Sequence, residues 1–187
     1  MRVSDARYSR DRLRFDLALR LIQHEARTST IRMWTGLSDD RIRKLYRSYL
    51  ADAQGEGVTR HRGKSPHQLA FFTRTPAMRE ESALLASVCY LLGVVPAGRV
   101  ADAQRNLPGV PRGTALCEAF ENYRELVRTP RISFEHAVTL VLALASSDEI
   151  QATLCRDCSA LIVVDRGAVP IRRCASCEAG SQGRLFI

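Results

Sequence analysis

This 187-residue sequence has no apolar N-terminal stretch: Met1 to Arg14 is polar and rich in arginine. Nor does any apolar run approach the roughly eighteen residues that a membrane span needs. These absences predict a soluble, cytosolic chain without a membrane partner, whose thiols stay reduced. Catalytic signatures are missing as well. There is no Gly-rich phosphate loop, no nucleophile elbow and no HExxH. The carboxylates lack a paired, pocket-like setting, and Glu80-Glu81 and Glu118, Glu121 and Glu125 read as solvated helix faces. His61 and His67 have no ligand-spaced partners. Phe71 and Phe72 have no second aromatic cluster with which to stack bases, and read as core or as a subunit contact. The sequence therefore predicts a protein that is not an enzyme.

What is present is concentrated near the C-terminus. Cys155-Arg156-Asp157-Cys158 is followed, after fifteen residues, by Cys174-Ala175-Ser176-Cys177. Two CxxC pairs at this separation form a zinc-ribbon pattern, because each tight knuckle points two thiols at one ion. The intervening segment holds the β-branched run Ile162-Val163-Val164 and, beyond Gly167, Val169-Pro170-Ile171. It predicts two short strands between the knuckles, closing an all-thiolate site for structural Zn2+. Disulfides, an iron–sulfur cluster and a CxxC redox couple are the alternatives for such cysteines. The other two, Cys89 and Cys117, lie in apolar helical patterns and read as buried structural thiols.

Charge is segregated. Residues 1–75 hold sixteen Lys and Arg against eight Asp and Glu, residues 76–150 seven against nine, and residues 151–187 five against three. The net +8 thus resides at the N-terminal end, with a small positive share in the cysteine region. Basic ends suit an anionic partner, and a slightly acidic middle suits packing or protein contact. Idle solvation of the basic face is the competing reading.

Taken in order, the chain reads as mainly α. Residues 11–26 show Leu13, Leu17, Leu21 and Ile22 at helical spacing, with basic residues on the outer side. A short helix to Thr35, a turn at Gly36 and a second helix from Asp39 to Leu50 make a helix–turn–helix-like corner, closed by Ile31, Leu37, Ile42 and Leu45. Ser38 suits the N-cap, and Asp39 and Asp40 suit the positive end of the helix dipole. The outer face of that second helix carries Arg41, Arg43, Lys44 and Arg47, a set that fits a DNA major groove. An ordinary helical hairpin with a solvated basic face is the alternative. The run Arg60, Arg62 and Lys64 lies in a Gly-rich linker, as a phosphate-gripping arm or a plain connector. Further helices are expected from Pro76 to Leu92, over residues 97–106, from Thr114 to Val127, and from Phe134 to Ala145 after a Ser133 cap. The last is apolar nearly all round, as for a core or an interface. The expected architecture is a helical bundle in four parts: a basic helix–turn–helix-like segment (1–55), a basic linker (56–68), a helical core and partner-binding region (69–150) and a small four-cysteine zinc ribbon (151–187).

The segments "TGLSDDRIRKLYRSYL" and "CRDCSALIVVDRGAVPIRRCASC", separated by an all-helical middle, resemble the FlhC family of flagellar transcriptional activators. That resemblance covers roughly residues 10 to 178. It implies that Cys155, Cys158, Cys174 and Cys177 are zinc ligands. It also implies a hetero-oligomer with a FlhD-type subunit, binding to double-stranded promoter DNA, activation of flagellar genes and contact with RNA polymerase. A zinc-ribbon adaptor for nucleic acid or the transcription machinery, not devoted to flagellar genes, is the alternative.

Overall fold

The computed structural model of this chain describes residues 5–52, 66–95, 108–146, 148–168 and 171–182. Among them are seven α-helices, one 3-10 turn and one two-stranded sheet. Helix α1 (Asp5–Gln23) buries Leu17, Ala18, Leu21 and Ile22, the side chains that helical periodicity puts on one stripe. It stops in a tight closure, the Ala26 N–H donating to the Leu21 carbonyl at 3.0 Å. Glu25 takes the left-handed position there (φ 59°), where glycine is the usual choice. Leu13, expected on the buried stripe, is instead 56 % exposed.

Helices α2 (Thr28–Thr35) and α3 (Asp39–Asp52) form the expected corner. Gly36 is left-handed (φ 69°) and its N–H closes α2 on the Arg32 carbonyl at 2.9 Å. Ile31, Leu37 and Ile42 are buried in the corner, joined by Trp34 and Tyr46. A 3-10 turn (Leu69–Phe72) then leads to α4 (Pro76–Leu91). Thr75 caps α4, its hydroxyl accepting the Met78 N–H at 3.2 Å, and Pro76 occupies the first turn, where a missing N–H costs nothing. Helices α5 (Val110–Leu126) and α6 (Phe134–Ser146) complete the bundle. The apolar α6 is covered within the chain: Phe134, Val138, Leu140, Val141 and Leu144 are all buried. Apolar surface left outside sits elsewhere, at Leu91 (84 % exposed), Leu92 and Leu126. The helix expected over residues 97–106 lies outside the described residues.

Strand β1 (Ile150–Leu154) pairs antiparallel with β2 (Leu161–Asp165), Ile150 opposite Asp165 and Leu154 opposite Leu161. This corrects the expected placement of both strands between the two CxxC pairs. The first CxxC occupies the turn between the strands, and the second opens helix α7 (Ala175–Gln182). The Ile162–Val164 run needs a ladder on its neighbour, and Pro170 has no N–H to give one, whereas the segment before Cys155 does. Helix α4 is the shared wall: α5 and α6 lie against it, and so do β2 and α7. Ile150 and Val163 belong to the same buried cluster as Trp34, Phe72 and Tyr123.

Of the acidic side chains expected to be solvated, Glu118 and Glu125 are exposed, whereas Glu121, Glu81 and Glu80 tie distant elements together. Glu121 on α5 accepts from Arg20 Nε at 2.9 Å and from His24 Nε2 at 2.8 Å. Glu81 on α4 accepts from the Tyr123 hydroxyl (2.7 Å) and the Arg131 N–H (3.0 Å). Glu80 accepts from the Ser176 hydroxyl at 3.1 Å. The buried Glu135, at the start of α6, accepts from the Arg27 N–H (2.8 Å) and the Thr30 hydroxyl (3.1 Å) and so caps the start of α2.

His24 stacks on Phe134 (centroids 5.2 Å apart) and meets the edge of Phe120 (5.4 Å). Burial lowers its pKa, with Glu121 pulling the other way; burial also lowers that of His136, aided by Arg74. Both imidazoles thus bind protons more readily in the unfolded chain, so stability rises with pH through the unfolded value near 6.5. Glu121 is depressed, chiefly by its Arg20 hydrogen bond, and adds a loss at more acid pH. The melting temperature is expected to fall below about pH 6.5, and His24→Gln to remove part of that slope. Equal slopes in the two proteins would remove His24 from this account.

Candidate metal centre and nucleic-acid interface

The Sγ atoms of Cys155, Cys158, Cys174 and Cys177 all lie within 4.8 Å of one another. Cys158 and Cys174 Sγ are 3.7 Å apart, far beyond the ~2.05 Å of a disulfide bond. The first knuckle is locked by the hairpin: the Cys155 N–H donates to the Ala160 carbonyl (2.7 Å) and the Ser159 N–H to the Cys155 carbonyl (2.9 Å). Ser159 is left-handed (φ 59°), which turns the chain from Cys158 back into β2. The second knuckle sits on α7, where the Glu178 N–H reaches the Cys174 carbonyl at 3.0 Å. The knuckles meet directly, the Cys174 N–H pointing at Cys155 Sγ (3.3 Å), and within the second knuckle the Cys177 N–H points at Cys174 Sγ (3.4 Å).

These N–H groups bear on protonation. Backbone donors at Cys158 and Cys174 bring the Cys155 thiol down to about 6, whereas hydrogen bonds shared first with Cys174 and then with Cys158 push Cys177 up. Four sulfurs this close cannot all ionise side by side unaided; a cation between them draws off the remaining protons. The group could hold a metal ion, and no His or carboxylate belongs to it. Ile162, Val164 and Ile171 pack around it in a small apolar cluster of its own. Two ties fasten α7 to α4: the Ser176–Glu80 hydrogen bond and an ion pair from Arg79 to Glu178 at 2.8 Å. Cys89 and Cys117 are buried elsewhere, their thiols pushed up to about 12 by burial, as expected of structural cysteines.

No family model and no curated protein matches this chain. The resemblance to flagellar activators therefore rests on the residues quoted for it.

Of the basic residues singled out, Arg41, Arg43, Lys44 and Arg47 are all exposed on α3. At about 100° per residue, Lys44 points directly away from the line between the buried Ile42 and Tyr46, with Arg41 and Arg47 on its two sides. Arg43 lies further round the flank and is drawn to Asp40 at 3.0 Å. Arg41 also rests over the Phe15 ring, 5.9 Å from its centre. Arg60, Arg62 and Lys64 lie outside the described residues. Further exposed arginines surround the hairpin: Arg156, Arg166 and Arg172. The sequence singled out none of these as a nucleic-acid contact, although the excess of basic over acidic residues after position 150 was a signal for them. Ser133 and His136 touch (Oγ to Nδ1, 2.7 Å), and the same hydroxyl accepts the His136 N–H at 3.4 Å, which is a local helix-cap arrangement at the start of α6. No helix among the described residues is long and apolar enough to cross a membrane.

Proposed function

We propose that this chain is a DNA-binding subunit of a transcriptional activator, structured by zinc and acting with a FlhD-type partner on flagellar promoters. The observation that carries this reading is the outward face of α3. It bears Lys44 flanked by Arg41 and Arg47, on a helix fixed to α1 and α2 by Ile42, Tyr46 and the Gly36 corner. Zinc fits the thiol set. A tetrahedral ion at about 2.3 Å from each sulfur sets the sulfurs about 3.8 Å apart, close to the 3.7 Å between Cys158 and Cys174. Four thiolates leave no position for a reacting water, so the ion's role is to hold the chain. The exposed Leu91, Leu92 and Leu126 offer apolar surface for the partner subunit. Contact with RNA polymerase follows from the same reading.

The test is DNA binding by alanine variants of α3 in the complex co-expressed with the partner, on a flagellar promoter and on a scrambled duplex. A base-reading residue, among Arg43, Lys44 and Arg47, is expected to cost about 1–3 kcal/mol on the promoter and to relax preference at one base pair. The paired flank position of Arg43 makes Lys44 and Arg47 the stronger expectations. Variants that bind both duplexes as wild type does would leave α3 as a protein-contact helix. Tighter binding to duplex RNA would favour the adaptor reading.

A further inference from the structure

We propose that the open side of the β1–β2 hairpin is a second nucleic-acid contact, in which Arg156, Arg166 and Arg172 hold the phosphate backbone of duplex DNA. The proposal rests on the DNA-binding reading and adds a site to it.

A groove of about 490 Å3 runs along this side, with all three arginines on its walls. Their backbones are fixed by the hairpin and the knuckle. The Arg166 N–H donates to the Glu149 carbonyl at the open end (2.8 Å), and the Arg156 N–H donates to the Arg172 carbonyl beside the first CxxC (2.8 Å). An arginine therefore stands at each end of a five-residue strand, Arg166 beside Glu149 and Asp165 at the open end, and Arg156 with Arg172 at the end next to the first CxxC. Such a strand is about 17 Å long, about the axial rise of five base pairs at ~3.4 Å each. Between the ends, β1 offers the exposed Gln151 and Thr153, opposite Val164 and Ile162 and hence on one side of the pleat. Their amide and hydroxyl are ordinary phosphate donors.

The lining of the groove is basic in balance, three arginines to one aspartate. That aspartate, Asp165, already accepts the Gly167 N–H on its Oδ1 at 2.7 Å. Asp157 pairs with Arg173 at 2.9 Å, and Arg173 is not on the groove. An acidic protein surface would be attracted as well. Arginines at both ends of a strand whose exposed side carries Gln151 and Thr153 suit an extended polyanion, and the proposal commits to DNA.

The site also gives the thiol cluster a second consequence. Arg156 lies inside the first CxxC, and Arg172 lies two residues before the second. A metal that joins the knuckles holds these two arginines side by side, so phosphate binding here depends on metal.

The experiment uses the full chain, with zinc content and melting temperature measured first to confirm folding. Affinity for a fluorescent duplex is followed against salt for Arg156→Ala, Arg166→Ala and Arg172→Ala, the triple variant, the triple Arg→Lys variant, and Lys44→Ala/Arg47→Ala. Each alanine is expected to reduce the salt slope by about one, equally on promoter and scrambled duplexes, and the triple variant by about three. The Arg→Lys triple should keep most of the slope, since charge is what a phosphate reads. A triple alanine variant with the wild-type slope, beside an α3 variant whose slope falls, overturns this proposal and leaves the DNA reading standing. No change in either set overturns both. Loss of binding to RNA or to an acidic protein, with DNA binding unaltered, overturns the commitment to DNA.

Discussion

Cys155→Ser is expected to lose the metal and unfold the C-terminal unit. The β1–β2 hairpin has five residues per strand, and a two-stranded hairpin alone is marginal in water. The cluster around the cysteines buries only Ile162 and Val164 fully besides Cys155 itself. Metal binding is therefore expected to supply most of the folding free energy of this unit, on the order of 10 kcal/mol. The effect should spread, because Ile150 and Val163 belong to the main core and β2 covers α4. Limited proteolysis should cut within residues 150–182, most of the helical circular dichroism should persist, and the uncovered α4 should promote self-association. Cys174→Ser should behave alike. Normal zinc stoichiometry with unchanged protease resistance in both variants would count decisively against a structural metal.

Glu81→Ala has the next largest expected effect. Glu81 is 11 % exposed, and one of its oxygens accepts from both the Tyr123 hydroxyl and the Arg131 N–H. The Tyr123 hydroxyl itself accepts from the Ile132 N–H at 3.2 Å, so one carboxylate orders the whole turn between α5 and α6. Truncation leaves a buried phenol without an acceptor and an N–H without a partner, at a cost of about 3 kcal/mol. For a chain of this size that is roughly 6–12 °C in melting temperature. Glu81→Gln keeps an acceptor oxygen and should lose about 1 kcal/mol. If Glu81→Ala melts within a degree or two of wild type, the carboxylate is not the hinge of this network.

The helices were legible because their signals are local. Periodic leucines marked α1, Gly36 marked the corner, Pro76 the start of α4 and Ser133 the start of α6. The thiol cluster was legible because spacing alone brings each CxxC pair together. Glu80, Glu81 and Glu121 were misread for the opposite reason. A run of acids on a helix looks the same whether it faces water or a cation, and Arg20 stands 101 residues from Glu121. The strand pairing was misread because a β-branched run does not say which neighbour it will pair with; the choice turned on the segment before the first knuckle. The groove with Arg156, Arg166 and Arg172 follows from that pairing, so it too was hidden.

The long polar ties have a consequence for a chain still being made. The sockets for α1 and α2 are Glu121 and Glu135, 97 to 108 residues downstream of the groups they bind. At about 5–20 residues per second, the basic N-terminal helices wait roughly 5–20 s before their docking site exists. The cysteine unit waits far less, because its two knuckles are sixteen residues apart at their nearest approach. The segment synthesised first is thus finished only when α6 has emerged, and the cysteine unit closes shortly after. The two basic faces of the newborn protein ripen almost together, at opposite ends of its sequence.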